Sequence, residues 1–417
     1  MAESAESDVV VVGAGPAGCA VACHLRAAGL AVTVLEKAVF PREKVCGDGL
    51  TPRAVRELDL LGLDFSSWKR NVGLRIWAGR PYPYLLPWPE LKDFPPLGLT
   101  RRRADLDQSL ADHALGLGAT VLQGVAVTGP ILDASGRVIG VRAKDGRRFL
   151  APVTVAADGG SARLALALGL ERRPDRPLGV AVRAYFQSPR SDEDWIESWL
   201  ELWDGPPGRS HLLPGYGWVF PLGDGRCNVG LGLTDTSPAF GRTDYRQLLR
   251  RWLASTPPQW GFTPDGQEGE IGSGALPLGF NRPPEYSRGL VLVGDAAGLV
   301  SPFNGEGVSY ALESGRLAAG HIADALAAGA GSAAAERALA AYPRSLRARW
   351  GRHFQLGNGF LRLIGRPEIM RLSSRWLLPL PGVATLVHRA LANLTDQRPG
   401  DVYDYLIHAL RRLTPSA

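Results

Sequence analysis

The chain has 417 residues, 45% of them hydrophobic and 21% charged. That composition excludes wholesale disorder, collagen and coiled coil, and the length exceeds what one hydrophobic core usually holds, so two or more domains are expected. The 47 Lys and Arg against 41 Asp and Glu leave a formal charge of +6, which suits an anionic cofactor or an anionic membrane surface. The run Arg101-Arg102-Arg103 is too short to argue for nucleic acid, so no such partner is expected.

Val9 to Val12 is an unbroken apolar run, the mark of a buried parallel strand. Gly13 to Gly18 follows, then a helical stretch to about Ala28, a stop at Gly29, and a second strand from Ala31 to Leu35 ending at Glu36. This is a βαβ unit. Residues 72–99 are rich in Trp, Tyr and Pro and show no helical period. Ala104 to Gly118 reads as a helix, Ala119 to Thr128 and Arg137 to Ala143 as short strands, and Asp145-Gly146 as a hairpin turn. Val153 to Ala157 is another apolar strand, ending in Asp158-Gly159. Leu178 to about Gly274 is strand-rich and aromatic. Gly289 to Val293 returns to a buried strand, Ser309 to Ala328 is a helix, and residues 335–417 are mostly helical.

Cys19 and Cys23, four apart on a helix, read as small core residues; with Cys46 and Cys227 they show no metal-like pair, and the seven His add none, so no metal is expected. No signal peptide precedes the first strand, which predicts a reducing, cytoplasmic setting. The best apolar stretch, Trp376 to Val387, is too short to span a bilayer and holds Pro379 and Pro381.

Two motifs carry cofactor chemistry. Gly13-x-Gly15-x-x-Gly18 sits between a strand and a helix. There Gly13 permits a tight turn, Gly15 lets backbone approach a pyrophosphate, and Gly18 allows helix–strand packing, with Ala17 in the same turn. The helix N-terminus supplies free N–H groups for phosphates. Glu36, with Lys37 beside it, is placed for a ribose diol. The second motif, Gly294-Asp295, follows a strand and offers a carboxylate to a polyol hydroxyl. A cofactor long enough to reach two motifs some 280 residues apart is FAD. The loop Ser301 to Gly307, with Pro302, Gly305 and Gly307, leads into a helix whose N-terminus faces a flavin's anionic edge. No second GxGxxG lies between a strand and a helix, so the electron donor is unidentified.

GAGPAG, Ala157-Asp158-Gly159 and GDAAGLVSPFNGEG together resemble the flavoprotein monooxygenase-like superfamily with the para-hydroxybenzoate hydroxylase type fold. Pro41 to Gly49 (PREKVCGDG) resembles the PxxKxCG loop of the geranylgeranyl reductase family within it. Tyr216-x-Trp218-x-Phe220-Pro221, eight residues, then Gly230-x-Gly232 resembles that family's YxWxFP…GxG signature. The wording around Cys46 and Leu213 is most similar to the actinobacterial branch that reduces one double bond of a menaquinone tail. The resemblance runs from residue 8 to about 320 and implies a reductase of isoprenoid C=C bonds, with hydride from reduced flavin and a protonated group or water completing the step. An FAD monooxygenase acting on an aromatic or terpenoid substrate shares the scaffold and is the alternative.

The resemblance places the Cys46-Gly47 loop at the flavin ring, where the Cys46 thiol supplies a proton or merely packs. It also matches Arg103 to a flavin-contacting arginine, against the plainer reading of a surface charge at a helix start. Arg42 pairs with phosphate or adenosine groups or is solvated. Asp158 closes a turn against the cofactor region. Glu306 is a candidate acid, with an anion at a helix N-terminus as the equal alternative. The fold class is therefore α/β: a Rossmann-like FAD-binding domain (1–71, 100–175, 286–334), an inserted antiparallel β-sheet domain for substrate (72–99, 176–285), and a C-terminal helical region (335–417).

Tyr216, Trp218 and Phe220 share one face of a strand. With a three-residue loop at Gly223-Asp224-Gly225, Trp218 lies opposite Gly230 and Tyr216 opposite Gly232, leaving a groove for an isoprenoid chain or prenylquinone. With a two-residue loop the rings meet Val229, Leu231 and Leu233, which is plain core. Trp77, Tyr82, Tyr84 and Trp88 are further candidates for the lining. The stretch Arg344 to Arg375 interleaves arginines with Trp350, Phe354, Phe360 and Leu361, the composition of an interfacial helix. Contact with the inner face of the cell membrane is one reading of it. The other packs its apolar face on the FAD domain.

Overall fold

Four strands rich in β-branched and aliphatic residues, each fully buried along its length, form the centre of a six-stranded sheet. Its spatial order is Tyr286–Ser287, Leu290–Leu292, Val153–Ala156, Val9–Val12, Val32–Glu36, Thr120–Gln123. Every neighbour pair is parallel except the outermost, Tyr286–Ser287 with Leu290–Leu292. Burial on both faces requires covering helices. These are Pro16–Ala27, which opens on a proline at its first turn, and the long Val308–Ala327. The two helices meet at Gly315, where a Cβ would lie 2.7 Å from the Ala17 carbonyl oxygen and 2.8 Å from the Ala20 Cβ. The computed structural model describes residues 4–206, 208–237 and 239–415.

A seven-stranded sheet runs Gln267–Pro277, Leu178–Gln187, Arg226–Thr234, Gly215–Pro221, Trp195–Trp199, Gly73–Trp77, Tyr84–Pro87. It is antiparallel apart from the pair Trp195–Trp199 and Gly73–Trp77. Its outer face is covered by the helix Tyr245–Leu253, whose Leu248, Leu249, Trp252 and Leu253 are buried against Val219, Val229 and Leu231. That helix lies in a stretch read from sequence as strands. Its apolar pairs four apart are a helical period, and Asp244 caps it by accepting from the Gln247 N–H at 3.0 Å.

One further correction concerns a strand break. The single strand expected from Ala119 to Thr128 is two: Thr120–Gln123 in the parallel sheet, and Val127–Leu132 in a four-stranded sheet with Val138–Ala143, Arg148–Leu150 and Ser4–Glu6. Between them Gly124 takes φ 74°, a left-handed turn that redirects the chain. The Asp145-Gly146 turn joins the hairpin Val138–Ala143 and Arg148–Leu150.

The C-terminal helices are not a loose appendage. Tyr342, Leu346, Trp350 and Phe354 are fully buried in the same core as the parallel sheet. Trp350 and Phe354, expected on an interfacial face, are thus core. Exposed apolar residues come later, at Leu363, Leu372, Trp376, Leu377 and Leu380. No helix among the described residues is long and apolar enough to cross a membrane.

Candidate functional site

The first βα turn forms a cradle. Gly13 has φ 104°, and a Cβ there would lie 2.3 Å from the Ala157 carbonyl oxygen; one at Gly18 would lie 1.9 Å from the Gly13 oxygen. Both positions admit only glycine. Gly15 differs: its nearest neighbours are the guanidinium groups of Arg42 at 3.7 Å and Arg103 at 4.0 Å, so its open face looks into a cavity. Ala17 lines the same cavity. The carboxylate of Glu36, 4% exposed, accepts from the Ala14 N–H at 2.9 Å and the Ala38 N–H at 3.0 Å. Those bonds fix its orientation and leave lone pairs for a diol. Lys37 lines the cavity beside it.

Arg103 is buried at the start of the helix Arg103–Gly116, which removes the surface-charge reading. It grips Asp107 with two bonds of 2.9 and 2.8 Å, and Arg42 reaches the same carboxylate at 3.0 Å. Two guanidinium groups converge on the buried Asp107 carboxylate, and the Arg42 Nε also lies 3.6 Å from Glu36 Oε1, so two cations and two carboxylates meet beside Gly15. The Arg42 Nε is buried with no hydrogen-bond partner among the described residues. A glycine-faced turn, free helix N–H groups, two convergent guanidinium groups and a buried donor without a hydrogen bond fit a pyrophosphate-linked dinucleotide.

The second motif meets the first. A Cβ on Gly294, at φ 57°, would lie 3.0 Å from the Ala17 Cβ, and Asp295 lines the cavity with Gly307 close to its Oδ1. Asp158 Oδ2 accepts from the Leu164 N–H at 3.3 Å across its turn. Pro302 and Gly305 lie on the cavity wall. The Tyr216 hydroxyl donates to the Asn304 carbonyl at 2.6 Å, tying this loop to the aromatic strand.

That strand takes the register of the three-residue loop: Tyr216 opposite Gly232, Trp218 opposite Gly230, Phe220 opposite Asn228. The two glycines do different things. A Cβ on Gly230 would lie 2.3 Å from the Trp218 indole, so the ring fills that space. Gly232 has nothing nearer than 3.6 Å and opens onto the cavity. Gly47 and Gly49 bring the Cys46 loop against Phe220, where added Cβ atoms would lie at 3.1 and 2.9 Å. Of the other aromatics proposed for the lining, only Trp88 is there. Trp77 stacks on Trp199 at 4.8 Å, Tyr84 packs with Ile76 and Leu86, and Tyr82 is 77% exposed.

Asp48 was not singled out from the sequence, although it lies inside the Cys46 loop. Fully buried, it accepts from the Tyr185 hydroxyl at 2.8 Å, the Asn228 amide at 2.7 Å and the Arg103 N–H at 3.0 Å. Asn228 also donates to the Cys46 carbonyl at 2.8 Å and accepts from the Trp218 indole N–H at 2.9 Å. Burial outweighs the three donors and pushes the Asp48 carboxyl up to about 6. The folded chain then holds a proton that the unfolded chain releases between the ordinary value of 3.8 and about 6, so this residue's contribution to stability falls as pH rises through that window. The loss is on the order of 3 kcal/mol. Asp48→Asn removes the titration, so the difference in melting temperature, variant minus wild type, is expected to grow from pH 4 to pH 7. A difference that does not change with pH contradicts this.

Burial shifts two groups on the wall toward their protonated forms. Burial pushes the Cys46 thiol up, with Arg103 pulling the other way, and Cys46 Sγ accepts from the Asp48 N–H at 3.4 Å. Burial also pushes Glu306 up. Its Oε1 accepts from the Thr51 hydroxyl at 2.6 Å, and its Oε2 is buried with no hydrogen-bond partner among the described residues. Both face a cavity of about 850 Å³. The cavity runs from the glycine cradle past Tyr216, Trp218 and Phe220. It continues to apolar side chains of the helices Arg352–Ile364 and Val383–Leu391, among them Leu363, Val387 and Leu391.

The family model described as FAD binding domain matches residues 6–350. A menaquinone reductase of Mycolicibacterium smegmatis is 36% identical over 399 residues, which cover 95% of this chain and 93% of that protein. A digeranylgeranylglycerophospholipid reductase of Methanopyrus kandleri is 31% identical over 330 residues, covering 77% and 78%. Among solved structures, a geranylgeranyl bacteriochlorophyll reductase-like protein of Thermoplasma acidophilum superposes with a TM-score of 0.78 over 98% of this chain and all of that one. At 23% identity that likeness is one of fold.

Proposed function

The chain belongs to the FAD-binding oxidoreductase family of the menaquinone and geranylgeranyl reductases, and we propose that it saturates a C=C bond in the isoprenoid chain of a prenylquinone or related lipid. FAD is the cofactor, and in its reduced form it supplies the hydride. One observation carries the reading: a single, largely apolar cavity joins the dinucleotide cradle to a long sleeve, with Cys46 and Glu306, both pushed up by burial, where the two parts meet.

The chain's own residues divide the work. Gly15, Arg42 and Arg103 seat the pyrophosphate, Glu36 and Asp295 take polyol hydroxyls, and the loop from Pro302 to Gly307 faces the ring system. Trp218 and Phe220, held by Asn228 and by the Cys46 loop, form a fixed apolar floor that positions the alkene and excludes water. Glu306 presents its unpartnered Oε2 as the acid that protonates the second alkene carbon, with Thr51 fixing the other oxygen. Cys46, a neutral thiol, packs at the ring and is the second proton source. The test is incubation of the holoenzyme with menaquinone, geranylgeranyl diphosphate and an archaeal-type diether lipid under reducing conditions. At least one is expected to gain two hydrogens in its prenyl chain by mass spectrometry. No gain in any of the three refutes the proposal.

We place the sleeve's mouth on an anionic membrane, at the inner face of the cell membrane. Leu363 and Leu377 are about half exposed and also line the cavity, so the cavity reaches the surface there. Leu372, Trp376 and Leu380 extend this rim, and the exposed Arg366, Arg371 and Arg375 flank it. Each arginine near an anionic surface contributes about 1 kcal/mol. The double change Leu372→Ser/Trp376→Ser is expected to abolish sedimentation with anionic liposomes at low salt. Binding equal to wild type removes this rim from the account.

A further inference from the structure

The outer half of the cavity carries one polar group with nothing to bond to. His388, on the helix Val383–Leu391, is 2% exposed and lines the cavity, and its Nε2 is buried with no hydrogen-bond partner among the described residues. Its imidazole lies against the Trp88 indole, ring centres 5.1 Å apart. Trp88 also lines the cavity and is itself held by its N–H, which donates to Asn71 Oδ1 at 2.8 Å. Leaving a buried donor or acceptor unpaired is costly, and a polar ligand atom at that point removes the cost.

The surroundings restrict what that ligand atom is. Among the cavity-lining residues from 360 to 392 there is no Lys, Arg, Asp or Glu. Ser374, one of the few other polar groups there, already donates its hydroxyl to the Arg371 carbonyl at 3.1 Å. A diphosphate or phosphodiester drawn into this half finds no counter-charge, and burying it would be costly. A ring carbonyl needs only one donor and a flat apolar neighbour. Burial and the adjacent Arg389 hold the His388 pKa down at about 4, so the imidazole is neutral at physiological pH, with one nitrogen a donor and the other an acceptor.

We propose that His388 and Trp88 form the head-group subsite for the prenylated substrate, with the imidazole donating to a carbonyl oxygen of a quinone ring that lies beside Trp88. This rests on the prenyl-reductase reading and deepens it, since it favours a prenylquinone over a prenyl diphosphate or phospholipid at this site. The reacting tail then runs from this subsite past Phe220, which packs in the same cluster as Trp88 and Ile196, toward Cys46 and Glu306.

The test is equilibrium binding to the oxidised holoenzyme, which needs no turnover. The probes are a short-chain menaquinone and geranylgeraniol, a chain of the same kind without the ring. His388→Phe keeps an aromatic ring against Trp88 and removes the donor. It is expected to weaken menaquinone about fivefold to tenfold relative to its effect on geranylgeraniol, and under turnover to raise KM for menaquinone by that factor with little change in kcat. His388→Gln, which restores a donor, is expected to recover most of the loss. Equal weakening of both probes, or menaquinone binding unchanged in His388→Phe, overturns the subsite. Wild-type protein that binds menaquinone through His388 but never reduces its tail would refute the reductase reading and leave the subsite standing.

Discussion

Gly15→Val is expected to give a folded but colourless protein. The position has no neighbour closer than 3.7 Å, and that neighbour is the end of the flexible Arg42 side chain, so the fold itself accepts a side chain there. The added methyl groups instead occupy the space through which a pyrophosphate reaches the helix N-terminus. A ligand at a thousand times its Kd stabilises a protein by about 4 kcal/mol. Wild-type protein stripped of FAD should therefore regain several degrees of melting temperature on its return, and the variant none. Gly18→Val is the contrast: its Cβ would sit 1.9 Å from the Gly13 carbonyl oxygen, which the backbone cannot yield, so that variant should fail to fold. Stoichiometric FAD retained by Gly15→Val would move the phosphate site elsewhere.

Glu306→Gln is expected to keep FAD and the fold while turnover falls by about a hundredfold to ten-thousandfold, the range that a positioned general acid contributes. The amide is nearly isosteric, and its oxygen still accepts from Thr51. What it loses is the ability of the oxygen that has no protein partner to carry and give up a proton. Cys46→Ala tests the other proton source, and a decrease of a few fold fits a packing thiol. If Cys46→Ala loses the larger factor and Glu306→Gln the smaller, the two roles exchange. Loss of the flavin spectrum in either variant makes that residue structural.

The parts of this site legible in the sequence are those written within one short stretch of chain. Gly13 to Gly18 is local, and its strand–turn–helix context is visible beside it. The aromatic register depended on a single loop length. The counted gap of eight residues between Pro221 and Gly230 left two possibilities, and the chain adopts the one in which Trp218 covers Gly230. What stayed hidden depends on distant partners. Asp48 acquires its setting from Asn228, 180 residues away, and from Tyr185, 137 away. Asp107 becomes part of the cradle only because Arg42 and Arg103 converge on it. For Arg103 a flavin-contacting arginine stood against a surface charge at a helix start, and the Cys46 loop, which covers it, removes the second reading. Trp350 and Phe354 looked interfacial because arginines alternate with them. The helix that carries them packs on Tyr310 in the core, with ring centres 5.3 and 4.9 Å away.

The central claim is hydride delivery from this flavin to a prenyl double bond, and an anaerobic single turnover tests it most directly. The holoenzyme is reduced, excess reductant is removed, and menaquinone is added in the absence of oxygen. The product is then exposed to air, so that any ring-reduced quinol returns to the quinone before mass analysis. The account predicts that the oxidised flavin spectrum returns without oxygen and that about one tail per flavin has gained two hydrogens, with the quinone ring intact. A flavin that stays reduced until oxygen is admitted, with a product that has gained an oxygen atom, would contradict it and assign the same scaffold to a monooxygenase.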